Sequence, residues 1–364
     1  MNYHGRQTGL QTALGQNRLD ALLVTHLPNV RYLCGFTGSA GVLLVTETSR
    51  VFFSDGRYAI QARAEVRGAR VVISRKGLLV AVGEWIASHR RELPGGKRPA
   101  LGIESEHLTV AECRRLAALA PSVRLRPARP LVEQARMVKE SEEIERIREA
   151  AVLGASLFQT ALGAIRPGVK ETEVAGRMEY AARKAGAEGM SFPTIIASGE
   201  RSALPHGRAS GGAVPADGFV VCDFGVILAG YCSDRTRTVY VGRPSREARR
   251  VYEAVREAQQ AGLESVRPGR SVGEVDSAAR KLLQKQGLAK YFTHSTGHGV
   301  GLEIHEAPRI AAGQTELLKP GMVITVEPGV YVPGQWGVRI EDLAVVTEQG
   351  CEVLAPAGKD LIAV

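Results

Sequence analysis

The sequence predicts two domains, a small α/β domain over residues 1–130 and a larger α+β domain over residues 131–364 whose helices accompany a mostly antiparallel sheet. Three observations lead there. At 364 residues the chain exceeds what one hydrophobic core usually serves, roughly 250–300 residues. Its charge changes character near residue 130: residues 1–130 carry 19 Lys and Arg against 9 Asp and Glu, an excess of +10, while the remainder carries 28 against 29. Strand-like runs and helical patterns alternate before that point, and longer helical patterns interleave with strand runs after it.

In chain order, Ala21–Val24, Gly41–Thr46 and Val51–Ser54 are apolar runs with strand character. Val80–Arg91 and Val110–Leu119 read as amphipathic helices, and Leu93-Pro94-Gly95 as a turn. Arg126–Pro130, with two prolines, marks the expected boundary. Lys139–Ala164 then reads as a long helix. Ser141 can cap it, Glu142 and Glu143 suit its positive end, and Ile144, Ile147, Ala151 and Leu153 recur near helical spacing. Arg166-Pro167-Gly168 stops it. Thr172–Ala185, Arg246–Val266 and Ser271–Gln286 are the further helices, the last two separated by Arg267-Pro268-Gly269. Gly218–Gly225, Gly230–Val241, Met322–Val326 and Leu343–Thr347 read as strands. The helix–Arg-Pro-Gly–helix arrangement occurs twice and hints at an internal duplication.

Composition excludes several classes of function. No run approaches the roughly 20 uninterrupted apolar residues of a membrane helix. The start, Met-Asn-Tyr-His-Gly-Arg, does not open a secretory signal, so a cytoplasmic protein with no membrane partner is expected. The cysteines (Cys34, Cys113, Cys222, Cys232 and Cys351) are odd in number and scattered, which argues against a disulfide framework or a thiolate zinc site. The net charge of +9 comes from dispersed pairs such as Arg90-Arg91 and Arg114-Arg115 without interleaved aromatics. That favours a solvated basic surface over a nucleic-acid site.

Four of the eight histidines fall between residues 206 and 305, among unusual acidic positions. Asp223 ends an apolar run, and Asp234 follows in a second, with Gly225 and Gly230 between them. A hairpin there would place both carboxylates on facing strands, which is costly unless a cation neutralises them. In THSTGHGVGLEIHE, His294, His298 and His305 fall within twelve residues, and Gly297, Gly299 and Gly301 strip side chains from around His298. A phosphate loop is the competing reading of those glycines, but no Gly-Lys-Ser/Thr ending follows. Glu327 precedes Pro328-Gly329, and Glu341 sits beside Asp342 ahead of an apolar run; alone, either could be a strand-end or surface residue. Together, four carboxylates and one histidine suit two hard or intermediate divalent ions better than a structural zinc. Such a pair holds a bridging water as hydroxide, which is the chemistry of hydrolysis.

In these words (VVCDFG, GYCSDRTRT, TGHGVGLEIHE, EPGVYVPG and GVRIED) the sequence resembles the pita-bread metallopeptidases: aminopeptidase P, prolidase and methionine aminopeptidase. The resemblance implies a C-terminal pita-bread catalytic domain preceded by a smaller α/β creatinase-like domain. It implies that Asp223 binds one metal, His298 and Glu327 the other, and that Asp234 and Glu341 bridge both. Two divalent ions are expected, Mn²⁺ first, with Zn²⁺ or Co²⁺ as alternatives. His206 resembles a substrate-binding histidine, and His305 the one that hydrogen-bonds the reacting carbonyl. His294 matches a further active-site histidine, and Arg339 an arginine pairing with metal-site carboxylates. Glu327 is also expected to accept the proton of the attacking water and pass it to the leaving nitrogen. RYLCGFTGSAGVLLVT and FFSDGRYAIQA resemble the N-terminal domain of proline-specific members, more closely aminopeptidase P than prolidase. Cys34 departs from the threonine or serine common there. The expectation is therefore an Xaa-Pro aminopeptidase, with an Xaa-Pro dipeptidase as the alternative and a non-catalytic peptide-binding protein as a remote one. A peptide with proline at its second position would be the substrate, and a homodimer the assembly.

Overall fold

Residues 1–364 are all described in the computed structural model, and they divide into two units, Met1–Arg136 and Met137–Val364. In the first, six strands form one sheet: β1 (Ala21–Val24), β2 (Gly41–Thr46), β3 (Arg50–Asp55), β4 (Arg70–Ser74), β5 (Ala100–Glu104) and β6 (Arg124–Ala128), in the order β4-β3-β2-β1-β5-β6. The pairs β1–β2 and β2–β3 are antiparallel, the second of them a hairpin. The pairs β1–β5, β3–β4 and β5–β6 are parallel, and the chain between the strands of each pair is long enough for the crossover that parallel pairing needs. The helices are α1 (Tyr3–Gln16), α2 (Leu27–Cys34), α3 (Ala59–Glu65), α4 (Leu78–Ser88), α5 (Val110–Leu119) and α6 (Leu131–Arg136). Trp85 and Ile86 of α4 and Leu116 of α5 pack with Leu23, Leu44 and Phe53 of the sheet. Part of the proline-bearing stretch at 126–130 belongs to β6, an edge strand, where Pro127 deprives no neighbour of a donor. Arg136 ties α6 to this unit by donating to Asn29 Oδ1 at 2.6 Å.

The second unit contains helices α7 (Ser141–Ala164), α8 (Glu171–Lys184), α9 (Arg246–Ser265) and α10 (Val272–Lys285). The cap of α7 is Glu140 rather than Ser141; its N–H donates to Glu143 Oε2 at 2.9 Å, so the first-turn glutamate closes the helix start. The strands up to the second helix pair are β7 (Gly189–Met190), β8 (Ile195–Ser198), β9 (Gly218–Phe224), β10 (Val226–Leu228), β11 (Tyr231–Cys232) and β12 (Arg235–Val241). After it come β13 (Gly297–Gly299), β14 (Glu306–Ile310), β15 (Val323–Val326), β16 (Gly329–Val332), β17 (Trp336–Arg339), β18 (Asp342–Val346) and β19 (Cys351–Val353). They form sheets β11-β10-β7, β12-β9-β8, β14-β13-β15-β18-β19 and β16-β17, and all these pairings are antiparallel.

The two halves of this unit repeat one pattern. Gly168 and Gly269, at φ 84° and 81°, end the two Arg-Pro-Gly turns. Their N–H groups donate to Val214 and Leu318, and the bridges Lys170–Ala213 and Ser271–Leu317 follow. The chain's tail closes the second unit. Tyr240 N–H donates to Ile362 O and Val364 N–H to Tyr240 O, both at 2.9 Å, and Lys359 Nζ lies 2.8 Å from Asp342 Oδ2. No helix is long and apolar enough to cross a membrane.

Glu171, fully buried at the start of α8, gathers the loop beyond β8. It accepts from Ser198 N–H and Oγ, both at 2.8 Å, from Ser210 N–H and Oγ at 3.0 and 2.7 Å, and from Arg201 Nε at 3.0 Å. Glu171→Ala strands these donors and should lower unfolding free energy by about 3 kcal/mol or more. Urea unfolding with an unchanged midpoint would contradict this.

Candidate metal centre

Asp223 closes β9, Asp234 lies between β11 and β12, His298 is central in β13, Glu327 follows β15, and Glu341 links β17 to β18. The structure brings all five to the wall of one cavity of about 960 Å³, together with His206, His294, His305 and Arg339. The two aspartates are not opposite one another. The segment between them forms its own hairpin, β10–β11, so β9 pairs with β12 from Phe224–Arg235 onward and Asp223 faces Thr236. Asp234, two residues before Thr236, therefore stands diagonally across from Asp223, on the same side of the pleat.

Around His298 the backbone strands crowd together. A Cβ on Gly297 would lie 2.0 Å from Thr325 O, and one on Gly299 2.2 Å from Ala307 O, so only glycine fits on either side. His298 N–H donates to Thr325 Oγ1 at 3.1 Å, and its Nδ1 lies 3.0 Å from Gly299 O. With Nδ1 donating, Nε2 keeps its lone pair, and it points at carboxylates: Glu327 Oε1 at 3.4 Å and Asp234 Oδ2 at 3.6 Å. Ligand atoms of Asp234, His298 and Glu341 all lie within 4.8 Å of one another.

The carboxylates are 8% exposed at Asp223, 7% at Asp234 and 1% at Glu341. Each has one oxygen held by the protein or near His298: Arg339 Nη2 donates to Asp223 Oδ2 at 2.6 Å, and Thr236 Oγ1 to Glu341 Oε2 at 2.7 Å. The other oxygens, Asp223 Oδ1, Asp234 Oδ1 and Glu341 Oε1, are buried without a partner. Burial, reinforced by neighbouring carboxylates, holds Asp234 and Glu341 well above the ordinary carboxylate range. Burial also pushes Glu327 up to about 8 against the pull of Arg339, and His298 down to about 4. Orphaned buried oxygens and a lone pair facing them fit divalent cations, whose positive charge would be the largest in the site.

The remaining residues form two groups. Arg339, buried, reaches Thr236 Oγ1, Pro205 O and the Tyr331 hydroxyl besides Asp223. His294 Nδ1 donates to Ser295 O at 2.8 Å, and its Nε2 accepts from the Tyr331 hydroxyl at 2.9 Å. A continuous chain thus runs His294–Tyr331–Arg339–Asp223. Burial drives His294 down to about 3, so it is neutral. On α10, Asp276 accepts from Arg280 and from Thr296 Oγ1, while Arg280 donates to the carbonyls of Phe292 and His294, fixing the segment behind that chain. His206 and His305 sit apart from the buried cluster, at the exposed rim, with His305 edge-on to His298 at 4.3 Å between ring centroids. Tyr331, Thr236 and Thr325 were missed by sequence reasoning. A hydroxyl in an apolar strand reads as filler until its partner is known, and only the word EPGVYVPG held Tyr331 in view.

Residues 145–348 match the profile of metallopeptidase family M24, and residues 6–138 that of the creatinase/prolidase N-terminal domain. The chain is 37% identical to an Xaa-Pro dipeptidase of Pyrococcus horikoshii over 96% of both chains. Among solved structures, an Xaa-Pro dipeptidase from Bacillus anthracis superposes with a TM-score of 0.95 at 40% identity, covering 100% of each chain. An X-Pro aminopeptidase from Thermotoga maritima superposes with a TM-score of 0.87 at 36% identity, covering 95% of this chain and 98% of its own.

Because Glu327 titrates near 8 when folded and near 4.5 when unfolded, its stabilising contribution in metal-free protein is complete below 4.5 and lost as pH rises through about 8. Chelator-treated protein should therefore melt at a lower temperature near pH 8 than near about pH 5, and added Mn²⁺ should reverse the loss. A metal-free melting temperature that rises across that window would contradict the assignment.

Proposed function

The chain belongs to metallopeptidase family M24, and on that premise we propose that it is an Xaa-Pro dipeptidase, a prolidase, that releases proline from dipeptides. The observation that carries the reading is the buried constellation of Asp223, Asp234, His298, Glu327 and Glu341, with its unpartnered oxygens, at the wall of a substrate-sized cavity. Two points favour the dipeptide over the longer peptides expected from sequence. The Xaa-Pro dipeptidases of Pyrococcus horikoshii and Bacillus anthracis match nearly the whole chain. Arg208 and Arg309 also line the cavity and have no carboxylate partner in the protein, and a dipeptide presents its free carboxylate within reach of the bond to be cut. The similarity to the Thermotoga maritima X-Pro aminopeptidase keeps cleavage of longer peptides as the second reading.

In this proposal Asp223 would hold one divalent ion, His298 and Glu327 a second, and Asp234 and Glu341 both, with Mn²⁺ the expected metal. The ions supply an activated water at neutral pH and charge for the developing oxyanion. The protein's own groups do the rest. Glu327 takes a proton from the water as its oxygen attacks the carbonyl carbon, then delivers that proton to the proline nitrogen as the C–N bond breaks. His305, at the rim, donates a hydrogen bond to the carbonyl oxygen as it gains charge. His206 contacts the substrate, and Arg339 keeps Asp223 oriented through the chain to Tyr331 and His294. Assembly as a homodimer and a cytoplasmic location complete the proposal.

Hydrolysis of Ala-Pro beside Ala-Pro-Ala, with Mn²⁺ and free alanine as the readout, tests it. Cleavage of the dipeptide is expected; release of alanine from the tripeptide alone would replace the prolidase reading with the aminopeptidase one. Glu327→Gln should lower kcat by about 10³ or more while the protein stays folded. His305→Ala should lower kcat by about 10² with a smaller effect on KM. Arg309→Met should raise KM for Ala-Pro yet leave Ala-Pro-amide unaffected; equal losses on both would remove its role in carboxylate recognition.

A further inference from the structure

We propose that Lys139 and Glu306 are a positioning pair that holds the turn at residues 301–306, and through it His305, against the carboxylate cluster; this rests on the peptidase reading of the site. Lys139 Nζ lies 3.3 Å from Glu306 Oε2, with the two side chains only 1% and 6% exposed. The other carboxylate oxygen, Oε1, accepts from the backbone N–H of Glu303 at 3.0 Å. One carboxylate thus joins a buried cation just ahead of α7 to the middle of the turn. The turn is anchored at its start as well: Gly301 N–H donates to Glu303 O at 3.1 Å, and Gly301 O accepts from Cys232 N–H at 2.8 Å, beside Asp234. A Cβ on Gly301 would lie 2.8 Å from both Glu306 oxygens, so the absence of a side chain at residue 301 gives the carboxylate its place over the turn.

His305 immediately precedes Glu306 and stands over His298. Although Glu306 lines the cavity, its oxygens are engaged by Lys139 and Glu303, which leaves it a holder of its neighbour rather than a substrate ligand. A buried ion pair is a poor stabiliser, since desolvation offsets most of its attraction and apolar replacement is often neutral. What it supplies is direction: two charges with fixed partners admit one arrangement of the turn. A side chain that must meet a developing charge is sensitive to such placement, and an error of about 1 Å can cost about 10² in rate.

The test uses Glu306→Gln, which keeps the shape and removes the charge, and the double variant Lys139→Met/Glu306→Leu, which removes the pair without stranding either charge. Each is measured as full-length, metal-loaded protein with Ala-Pro, alone and on a His305→Ala background. The expected result is a loss of about 10- to 100-fold in kcat, with KM within about threefold and metal content unchanged. On the His305→Ala background the same changes should cost less than about twofold, because the group they position is gone. Amide hydrogen exchange over 301–306 should quicken in the double variant. Losses that multiply undiminished on the His305→Ala background, or unchanged exchange, would overturn the proposal. Should the parent cleave neither Ala-Pro nor Ala-Pro-Ala, the peptidase reading falls, and the exchange measurement still decides whether the pair holds the turn. If the double variant does not fold, Glu306→Gln carries the comparison.

Discussion

Four carboxylates drawn out of water beside one another, with a single guanidinium among them, form the constraint on which the catalytic unit turns. Like charges buried together repel and lose hydration at once, and the raised values of Asp234, Glu327 and Glu341 express both effects. Protonation can relieve this, and so can a cation of higher charge than any side chain offers. The surrounding fold does not dilute the conflict. Thr236, Thr325 and Arg339 each engage one carboxylate, and Asp223 Oδ1, Asp234 Oδ1 and Glu341 Oε1 stay buried and bare.

A site of this kind needs rigid supports on several sides, and the repeated halves of Met137–Val364 supply them. Asp223 and Asp234 come from the sheet of the first half, and His298, Glu327 and Glu341 from strands of the second. Helix α10 reaches the site from behind through Asp276 and Arg280, which hold the segment around His294 without touching the cluster. The candidate ligands therefore sit at or beside strand ends whose positions are set by ladders of backbone bonds, while His206 and His305 occupy more exposed turns. This division suits a centre whose buried part must not move and whose rim must admit and release a peptide.

Much of this was legible in the sequence because its strongest signals are chemical contradictions. Carboxylates inside apolar runs and a histidine flanked by glycines have few structural explanations, so the ligand candidates stood out before any geometry was known. Helix α5 was readable end to end from its amphipathic pattern over Val110–Leu119, and the structure adds the Thr109–Glu112 capping box at its start. What escaped is equally instructive. Strand β6 was read partly as linker because Pro127 forbids a central strand but not an edge one. The apolar run before Val241 was read as continuous, although the chain breaks at Ser233–Asp234 and folds a small hairpin of its own against β7. Tyr331 was unreadable in principle: its importance comes from Arg339 and His294, which sequence distance does not bring near it. That Arg208 and Arg309 meet at the wall of one cavity was likewise a question of three dimensions.

The tail has a consequence for the protein's biosynthesis. Ile362 and Val364 complete the bonding of Tyr240 on β12, and Lys359 joins Arg235 and Arg237 in neutralising Asp342, the residue next to Glu341. A nascent chain emerging from the ribosome can form the sheet of residues 1–136 from contiguous sequence, but β12 and Asp342 each take a partner from residues 359–364, which are translated after them. The second unit thus closes only once residues 359–364 have been made. A message terminated before residue 359 then yields a chain whose buried Asp342 lacks one of its cations and whose β12 lacks backbone partners, a ready target for quality-control proteases.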